Sequence, residues 1–320
     1  MTPAEGSAGV RLFADRRAAE IAVLAVMAVW AANFIVVKDV ISILPPVAFT
    51  FTRYTLASIA LLAILRWTEG AIRLPSPGAF RILLLGGLGF GVYQMLWTVG
   101  LVSIAAGDSA LLIAASPVFT AVIAVLIGTD TLDPRKAVGV VLSFSGVALV
   151  IGAGVGFEFS GAPIGFAMTL AAAVCWAVYT AVGARVMRRH SPLVLTTWAT
   201  IGGTLVLAPV GIGQLLAPGA IGPDQVERLP SIVFAVIYSG VFAAALANVI
   251  VFNGVRMLGP TRISAVQSLV PALAVVLAFF VLGEAIRPGQ VLGGVIIVTG
   301  VALTRYASRR TAARSSTRVT

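Results

Sequence analysis

The sequence predicts an all-α membrane protein whose ten transmembrane helices form two inverted five-helix repeats around a central cavity. Three observations lead to this prediction: an apolar composition, the spacing of the apolar runs and an internal duplication. Of the 320 residues, 59% are hydrophobic and 11% are charged, and the mean hydropathy is +1.04. A water-soluble domain of this length cannot bury so much apolar surface.

Ten apolar runs are long enough to cross a membrane. A hydrocarbon core about 30 Å thick requires roughly 20 helical residues for one crossing. Pro46, Pro134, Pro192 and Pro288 stand at or just before four of the starts, where a missing N–H leaves no helical hydrogen bond unmade. The predicted spans are 19–37, 46–65, 80–101, 108–127, 135–153, 163–184, 193–213, 231–253, 262–282 and 288–305.

The basic residues predict the orientation of the chain. Positively charged side chains concentrate in the cytoplasmic loops of membrane proteins. If the N-terminus is cytoplasmic, all of the 22 basic residues lie on the cytoplasmic side except Lys38, Arg53, Arg228 and Arg287. We therefore expect both termini in the cytoplasm. Because the net charge of +10 lies in these loops and in the tail, it does not indicate a nucleic-acid partner.

The second half of the chain repeats the first. Residues 100–149 align without a gap on 254–303 at a shift of 154 positions, and the first helices align at a shift of 146. Each copy has an apolar helix broken by a mid-span proline, a loop with an acid, and a glycine-bearing helix. Matched residues include Pro117 and Pro271, Asp130 and Glu284, Gly139 and Gly293, Gln94 and Asn248, and Trp30 and Trp176.

Each repeat contains five predicted helices. Because five is odd, the second copy enters the membrane upside down relative to the first, as in inverted-repeat secondary transporters. The repeats are predicted at 19–153 and 163–305. A cytoplasmic segment at 1–18 precedes them, and a basic cytoplasmic tail at 306–320 follows them.

Several motifs occur in the same order in a known family. They are Trp30, Asn33 and Lys38; Arg53-Tyr54 with Ala57; Ser116-Pro117 with the helix from Gly139 to Leu149; and Val270-Pro271 with Leu282-Gly283-Glu284. With these motifs the chain resembles the EamA type of the drug/metabolite transporter superfamily over roughly 19–305. Thr129-Asp130 departs from the Gly-Glu that the family tends to have there, although the acid is kept.

The resemblance implies a secondary transporter of the bacterial inner membrane that moves small organic metabolites, including amino acids. It implies no enzymatic activity. We expect an exporter that works by alternating access, as a monomer or weak dimer in the lipid bilayer. A passive facilitator or a multidrug-type efflux carrier is the alternative. A membrane-embedded enzyme is a remote one, because such chemistry requires clustered acids, histidines or nucleophiles that the spans lack.

Polar and aromatic residues within the spans are the candidates for a substrate cavity. An ionisable or amide group in a bilayer is costly unless it faces protein or water. Asp108 is a possible charge partner for Lys38 or Arg53, or a proton site. The candidate lining residues are Trp30, Asn33, Lys38, Arg53, Tyr93, Gln94, Trp97, Trp176, Tyr179, Asn248 and Gln267.

Each charged candidate also has a purely structural interpretation. Lys38 ends the first helix, where its ammonium group could extend to the lipid headgroups. Arg53 lies about 10 Å below the rim by helical rise, where it requires an anionic or carbonyl partner such as a helix end. Asp108 could be an acid that stabilises a helix N-terminus.

The uncharged candidates have structural interpretations too. Gln94 and Asn248 could bridge helices, and Trp97 could belong to the interfacial aromatic belt. Trp30 and Trp176 could serve ordinary helix packing, although aromatic faces also suit organic substrates and amino groups. Cys175 and His190 are single residues of their types. We therefore expect neither a metal site nor a cofactor.

Overall fold

A computed structural model describes residues 13–70, 72, 78–128, 133–155, 162–187, 191–220, 222–258, 263 and 266–316. Within these ranges all regular secondary structure is helical. Three residues considered above, Thr129, Asp130 and His190, lie outside the described residues.

The helices follow the predicted spans. The bounds are α1 Arg16–Val40, α2 Pro46–Glu69, α3 Ala79–Ser103, α4 Ala106–Ile113 with Ser116–Leu126, α5 Pro134–Val155, α6 Ala162–Met187, α7 Pro192–Leu215, α8 Leu229–Ile237 continued by Tyr238–Leu246 and Ala247–Leu258, α9 Leu269–Leu282 and α10 Pro288–Ser316. A short helix at Pro223–Glu227 precedes α8. Four of these helices begin at the prolines predicted to start them, namely α2, α5, α7 and α10.

Eight helices, α1 to α8, are long and apolar enough to cross a membrane. The helix α9 and the apolar part of α10, Pro288–Thr304, are shorter. The predicted mid-span breaks are present in both copies. A turn at 114–115 interrupts α4 directly before Ser116-Pro117, and a turn at Ser268 precedes α9, which contains Pro271.

The duplication persists in local structure. The helix α3 is π-helical at Gly87–Val92, and α8 is π-helical at Tyr238–Leu246, which is the matching position. Gly86 packs against the backbone of Ala199, and its counterpart Gly240 packs against the backbone of Arg53, which is the counterpart of Ala199. Neither glycine has space for a side chain, so both contacts require glycine.

Helices from opposite repeats pack against their own counterparts. In the pair α5 and α10, Gly139 meets Gly300 and Gly146 meets Gly293, so the two helices are antiparallel. In the pair α2 and α7, the hydroxyls of Ser58 and Thr204 lie 2.9 Å apart.

The remaining contacts between the repeats come in matched sets. The helix α1 packs on α8 and α9, and its counterpart α6 packs on α3 and α4. Likewise α2 packs on the π-helical part of α8, and α7 packs on that of α3. The result is a bundle with a seam between the two repeats, and the candidate site lies in this seam.

Candidate functional site

A cavity of about 810 Å³ lies between the repeats. This volume falls within the roughly 300–1,000 Å³ that is typical of small-molecule sites. Residues of α1, α2, α3, α4, α6, α8, α9 and α10 line it, most of them apolar or aromatic. Nine of the predicted residues belong to the lining: Trp30, Asn33, Arg53, Tyr93, Gln94, Trp97, Trp176, Asn248 and Gln267.

Matched residues of the two repeats line the cavity together. Trp30 and Trp176 are one such pair, and Gln94 and Asn248 are another. The proline-broken helices contribute a third pair, Pro117 and Pro271. The structure therefore brings together residues that lie about half a chain apart in the sequence.

Arg53 is the charged residue of the described lining, and it is only 2% exposed. Its Nη1 donates a hydrogen bond to Ser239 Oγ at 2.7 Å, and its Nη2 donates to Gln94 Oε1 at 2.6 Å. Both partners are neutral, and Nε has no hydrogen-bond partner. No aspartate or glutamate among the described residues forms an ion pair with Arg53. The guanidinium is therefore a buried cation without a counter-ion among the described residues.

Three aromatic rings surround this cation. The guanidinium carbon lies 5.0 Å from the ring centroid of Tyr54, and 5.6 Å from those of Phe49 and Trp97. Cation–π contacts of this kind stabilise a desolvated charge by about 2 kcal/mol or more. They hold the charge in place without neutralising it.

The tryptophans are fixed by hydrogen bonds and ring contacts. Trp97 is 3% exposed and donates from Nε1 to Ser109 Oγ at 3.1 Å, so it is a buried residue and not part of an interfacial belt. Trp30 donates from Nε1 to the carbonyl of Ala243 at 2.9 Å. The ring of Trp176 lies 5.4 Å from that of Tyr93. These residues therefore serve packing and also present faces to the cavity.

Two predicted lining residues lie elsewhere. The Nζ of Lys38 donates to the carbonyls of Leu101 at 2.7 Å and Ile104 at 2.8 Å. Unpaired carbonyls at a helix C-terminus attract cations, so Lys38 binds the end of α3 and neither lines the cavity nor extends to headgroups. Tyr179 packs its ring 5.2 Å from that of Phe90, and its side chain fills the space beside Gly89.

Asp108 has partners other than the two that the sequence suggested. It is 2% exposed, and Gln290 Nε2 donates to its Oδ1 at 2.8 Å. Arg287 Nη1 lies 3.9 Å from its Oδ2. Lys38 and Arg53 are occupied by other groups, as described above. Asp108 therefore links α4 to α10 and is not the counter-charge of the cavity.

Glu284 forms a second link at the same end of the bundle. Its carboxylate accepts hydrogen bonds from the backbone N–H of Ala106 at 2.7 Å and of Gly107 at 3.1 Å. An anion at a helix N-terminus is favoured by the orphan N–H groups and the helix dipole. Glu284 thus fastens the start of α4 to the turn between α9 and α10.

Sequence reasoning missed Ser239, which binds Arg53 directly. A serine within an apolar span carries little signal, and its counterpart in the first repeat is Leu85. The repeat pattern therefore gave no indication of it. Ser239 lies in the π-helical part of α8. Segments of π-helix often occur at functional sites.

Comparisons with known proteins decide the family. The model of the EamA-like transporter family matches residues 17–152 and again 163–306. The chain belongs to this family. EamA-family relatives are transporters, and this chain, with its many apolar helices, is a multi-pass membrane protein.

Curated relatives in the EamA family extend over nearly the whole chain. A protein of Archaeoglobus fulgidus named "Uncharacterized transporter" is 30% identical over 87% of this chain and 94% of its own length. The "Probable terminal-alkyne amino-acid exporter" of Streptantibioticus cattleyicolor is 28% identical over 89% of this chain and 91% of its own length. The "Probable amino-acid metabolite efflux pump" of Salmonella typhimurium is 27% identical over 89% of this chain and 94% of its own length.

A solved crystal structure shares the EamA chain's fold. It superposes with a TM-score of 0.64 at 19% identity, over 93% of this chain and 99% of that chain. At this identity the likeness shows the fold alone.

Proposed function

We propose that this EamA-family protein is a secondary carrier of the bacterial inner membrane that exports small organic metabolites, such as amino acids, by alternating access. The observation that carries the proposal is the cavity in the seam between the repeats, which matched residues of both copies line. A site shared by two inverted copies has two nearly equivalent ways to open. The chain acts as a carrier and not as an enzyme.

Contacts between counterparts support ten spans in two inverted repeats. The hydroxyl of Ser143 lies 3.4 Å from the carbonyl of Ile297, and these residues are 154 positions apart. Ser58 and Thr204, in contact at 2.9 Å, are 146 positions apart. Equivalent residues touch each other where a twofold axis passes between them. Because the paired helices are antiparallel, these contacts support an axis in the membrane plane, as inverted repeats require.

The cavity is asymmetric along the membrane normal. On α4 its lining continues past Pro117 to Thr120, Ala121 and Ala124. The counterparts on α9 are Ala274, Val275 and Ala278, and both alanines are buried in an apolar cluster that also contains Phe34 and Trp97. With cytoplasmic termini, the open side is the cytoplasmic one. This asymmetry supports an inward-facing state whose outer half is closed.

The charge of the cavity supports an anionic or zwitterionic substrate. No described acid pairs with Arg53, so a ligand carboxylate is the group best suited to bind its guanidinium. The names of relatives that refer to amino acids agree with this chemistry. A purely cationic drug fits poorly, because the described lining contains no acid.

Counterflow in liposomes tests the proposed function. The purified chain is reconstituted with an internal pool of unlabelled amino acids and metabolites, and uptake of the labelled compounds is measured. A carrier shows saturable uptake that the internal pool stimulates, because the loaded site returns faster than the empty one. Uptake that rises linearly with concentration and ignores the internal pool would indicate a passive pore.

Glu284→Ala is expected to favour opening of the outer half, because it removes both hydrogen bonds that fasten the start of α4. Ala278→Cys, introduced after Cys175→Ser, reports this opening. A membrane-impermeant maleimide should label the cysteine several-fold faster when Glu284 is absent. Asp224→Ala is the matched control, since this exposed acid lies in the short helix Pro223–Glu227 before α8. Equal labelling rates in both backgrounds would contradict the proposed closure.

A further inference from the structure

We propose that the cavity binds the two charges of an α-amino acid separately, with Arg53 as the carboxylate ligand and Asn33 as the ammonium ligand. This inference rests on the proposed carrier function and names the head group that the same site recognises. Its starting observation is a pair of buried polar atoms without hydrogen-bond partners, Arg53 Nε and Asn33 Oδ1. Both side chains line the cavity. Buried polar groups in proteins are nearly always paired, so two orphans in one cavity indicate a ligand.

The two orphan atoms have opposite hydrogen-bonding character. Arg53 Nε is a charged donor, and Asn33 Oδ1 is a neutral acceptor. An α-amino acid offers the complement of both, because its carboxylate accepts and its ammonium group donates. The other described orphans, the hydroxyls of Thr169 and Thr196, are outside the lining. Among the described residues, the cavity therefore contains one unpaired donor and one unpaired acceptor.

Nε is the guanidinium nitrogen of Arg53 that has no hydrogen-bond partner among the described residues. Ser239 and Gln94 accept hydrogen bonds from Nη1 and Nη2, and the three aromatic rings described above lie beside the guanidinium. Because the described residues bind the buried Arg53 cation only through neutral groups, the ligand supplies the negative charge. Carboxylates bind guanidinium through short, charge-assisted hydrogen bonds.

A neutral acceptor suits the ammonium group in this setting. An aspartate or glutamate in the lining would pair with Arg53 and cancel the carboxylate site. Asn33 provides an acceptor oxygen without a negative charge, so both ligand sites exist in the same cavity. Asn33 follows Trp30 by three positions on α1, which places the two on the same side of that helix. The indole of Trp30 thus gives the ammonium group an adjacent ring.

The rest of the lining favours an apolar side chain on the amino acid. Phe90, Tyr93 and Trp176 contribute aromatic surface to the cavity, and Ile113, Val270 and Val298 contribute aliphatic surface. L-Phenylalanine and L-leucine are therefore the probes of choice.

Binding of head-group derivatives tests the inference. The full-length protein in lipid nanodiscs is titrated calorimetrically with L-phenylalanine, N-acetyl-L-phenylalanine and L-phenylalaninamide. Wild type should bind phenylalanine at least about tenfold more tightly than either derivative, which corresponds to about 1.4 kcal/mol. Acetylation removes the ammonium charge, and amidation removes the carboxylate charge.

The variants assign each preference to one residue. Asn33→Leu is expected to lose the preference over the N-acetyl derivative and to keep the preference over the amide. Arg53→Gln is expected to show the opposite pattern. Asn33→Gln keeps a neutral amide oxygen as acceptor and should retain discrimination against the N-acetyl derivative. Since the comparison is between ligands on one protein, a general loss of affinity does not mimic it.

Several results would overturn the inference. One is an unchanged pattern of preferences in Asn33→Leu or Arg53→Gln. Another is a wild-type chain that binds neither phenylalanine nor leucine while it catalyses counterflow of a different metabolite, which would leave the carrier function intact. Head-group discrimination without counterflow of any compound would instead refute the carrier function and retain the two assigned ligands.

Discussion

Arg53→Ala is expected to reduce the initial rate of amino-acid counterflow by at least about tenfold. A hydrogen bond to a charged group contributes roughly 1.5–3 kcal/mol, and each 1.4 kcal/mol corresponds to a factor of about ten. In the wild-type chain Arg53 is 2% exposed, and Ser239 and Gln94 are its hydrogen-bond partners among the described side chains. The variant removes the positive charge that attracts a substrate carboxylate. The measurement is uptake of labelled substrate into loaded proteoliposomes.

Arg66→Ala is the matched control for this prediction. Arg66 lies on the same helix, α2, but is exposed near its end and donates to the carbonyl of Gly70 at 2.9 Å. Its removal should leave the counterflow rate unchanged. A wild-type rate in Arg53→Ala would exclude Arg53 from the substrate site. Equal losses in the two variants would point to a general effect of removing a basic residue from α2.

Gly146→Ala is expected to destabilise the protein by about 2 kcal/mol, because overpacking a tight contact typically costs about 1–3 kcal/mol. A Cβ at this position would lie 2.6 Å from the carbonyl oxygen of Gly293 and 2.8 Å from the backbone N of Ile297. These are backbone atoms, so α5 and α10 would have to move apart. The melting temperature of the purified protein should fall by roughly 4 °C or more.

Gly152→Ala provides the comparison on the same helix. A Cβ at Gly152 meets nothing within 4 Å, and alanine favours a helix over glycine by about 1 kcal/mol. This variant should therefore melt at the same temperature as wild type or slightly higher. If Gly146→Ala melts no lower than Gly152→Ala, the close approach of α5 and α10 is not a stabilising contact.

The apolar runs are helical in the described part of the chain, and nine of the predicted cavity residues line the cavity between the repeats. Periodicity and duplication explain how these residues could be predicted. A polar residue in an apolar span is costly in lipid, so Gln94 and Asn248 had to face protein or a cavity. Trp30 and Trp176 were matched by the repeat. A residue that is unusual in an apolar span and has a counterpart in the other repeat can therefore be identified from the sequence alone.

The other site residues depended on distant contacts. Ser239 binds Arg53 across 186 positions of chain, and nothing local to Ser239 indicates it. Lys38 had two sequence interpretations, but the carbonyls that end α3 bind its ammonium group. Asp108 lies beside Gln290 and Arg287 because α10 packs next to α4 at this end.

The sequence by itself determined that this chain is a helical membrane protein with a duplicated family domain. Lipid thickness dictates the length of each apolar run, and the prolines and glycines preserve the duplication. Only the tertiary structure decided which described polar atoms remain without partners, and that no described acid pairs with Arg53. These properties depend on how side chains from distant helices meet, because hydrogen bonding and burial are set by neighbours in space and not by neighbours in the chain.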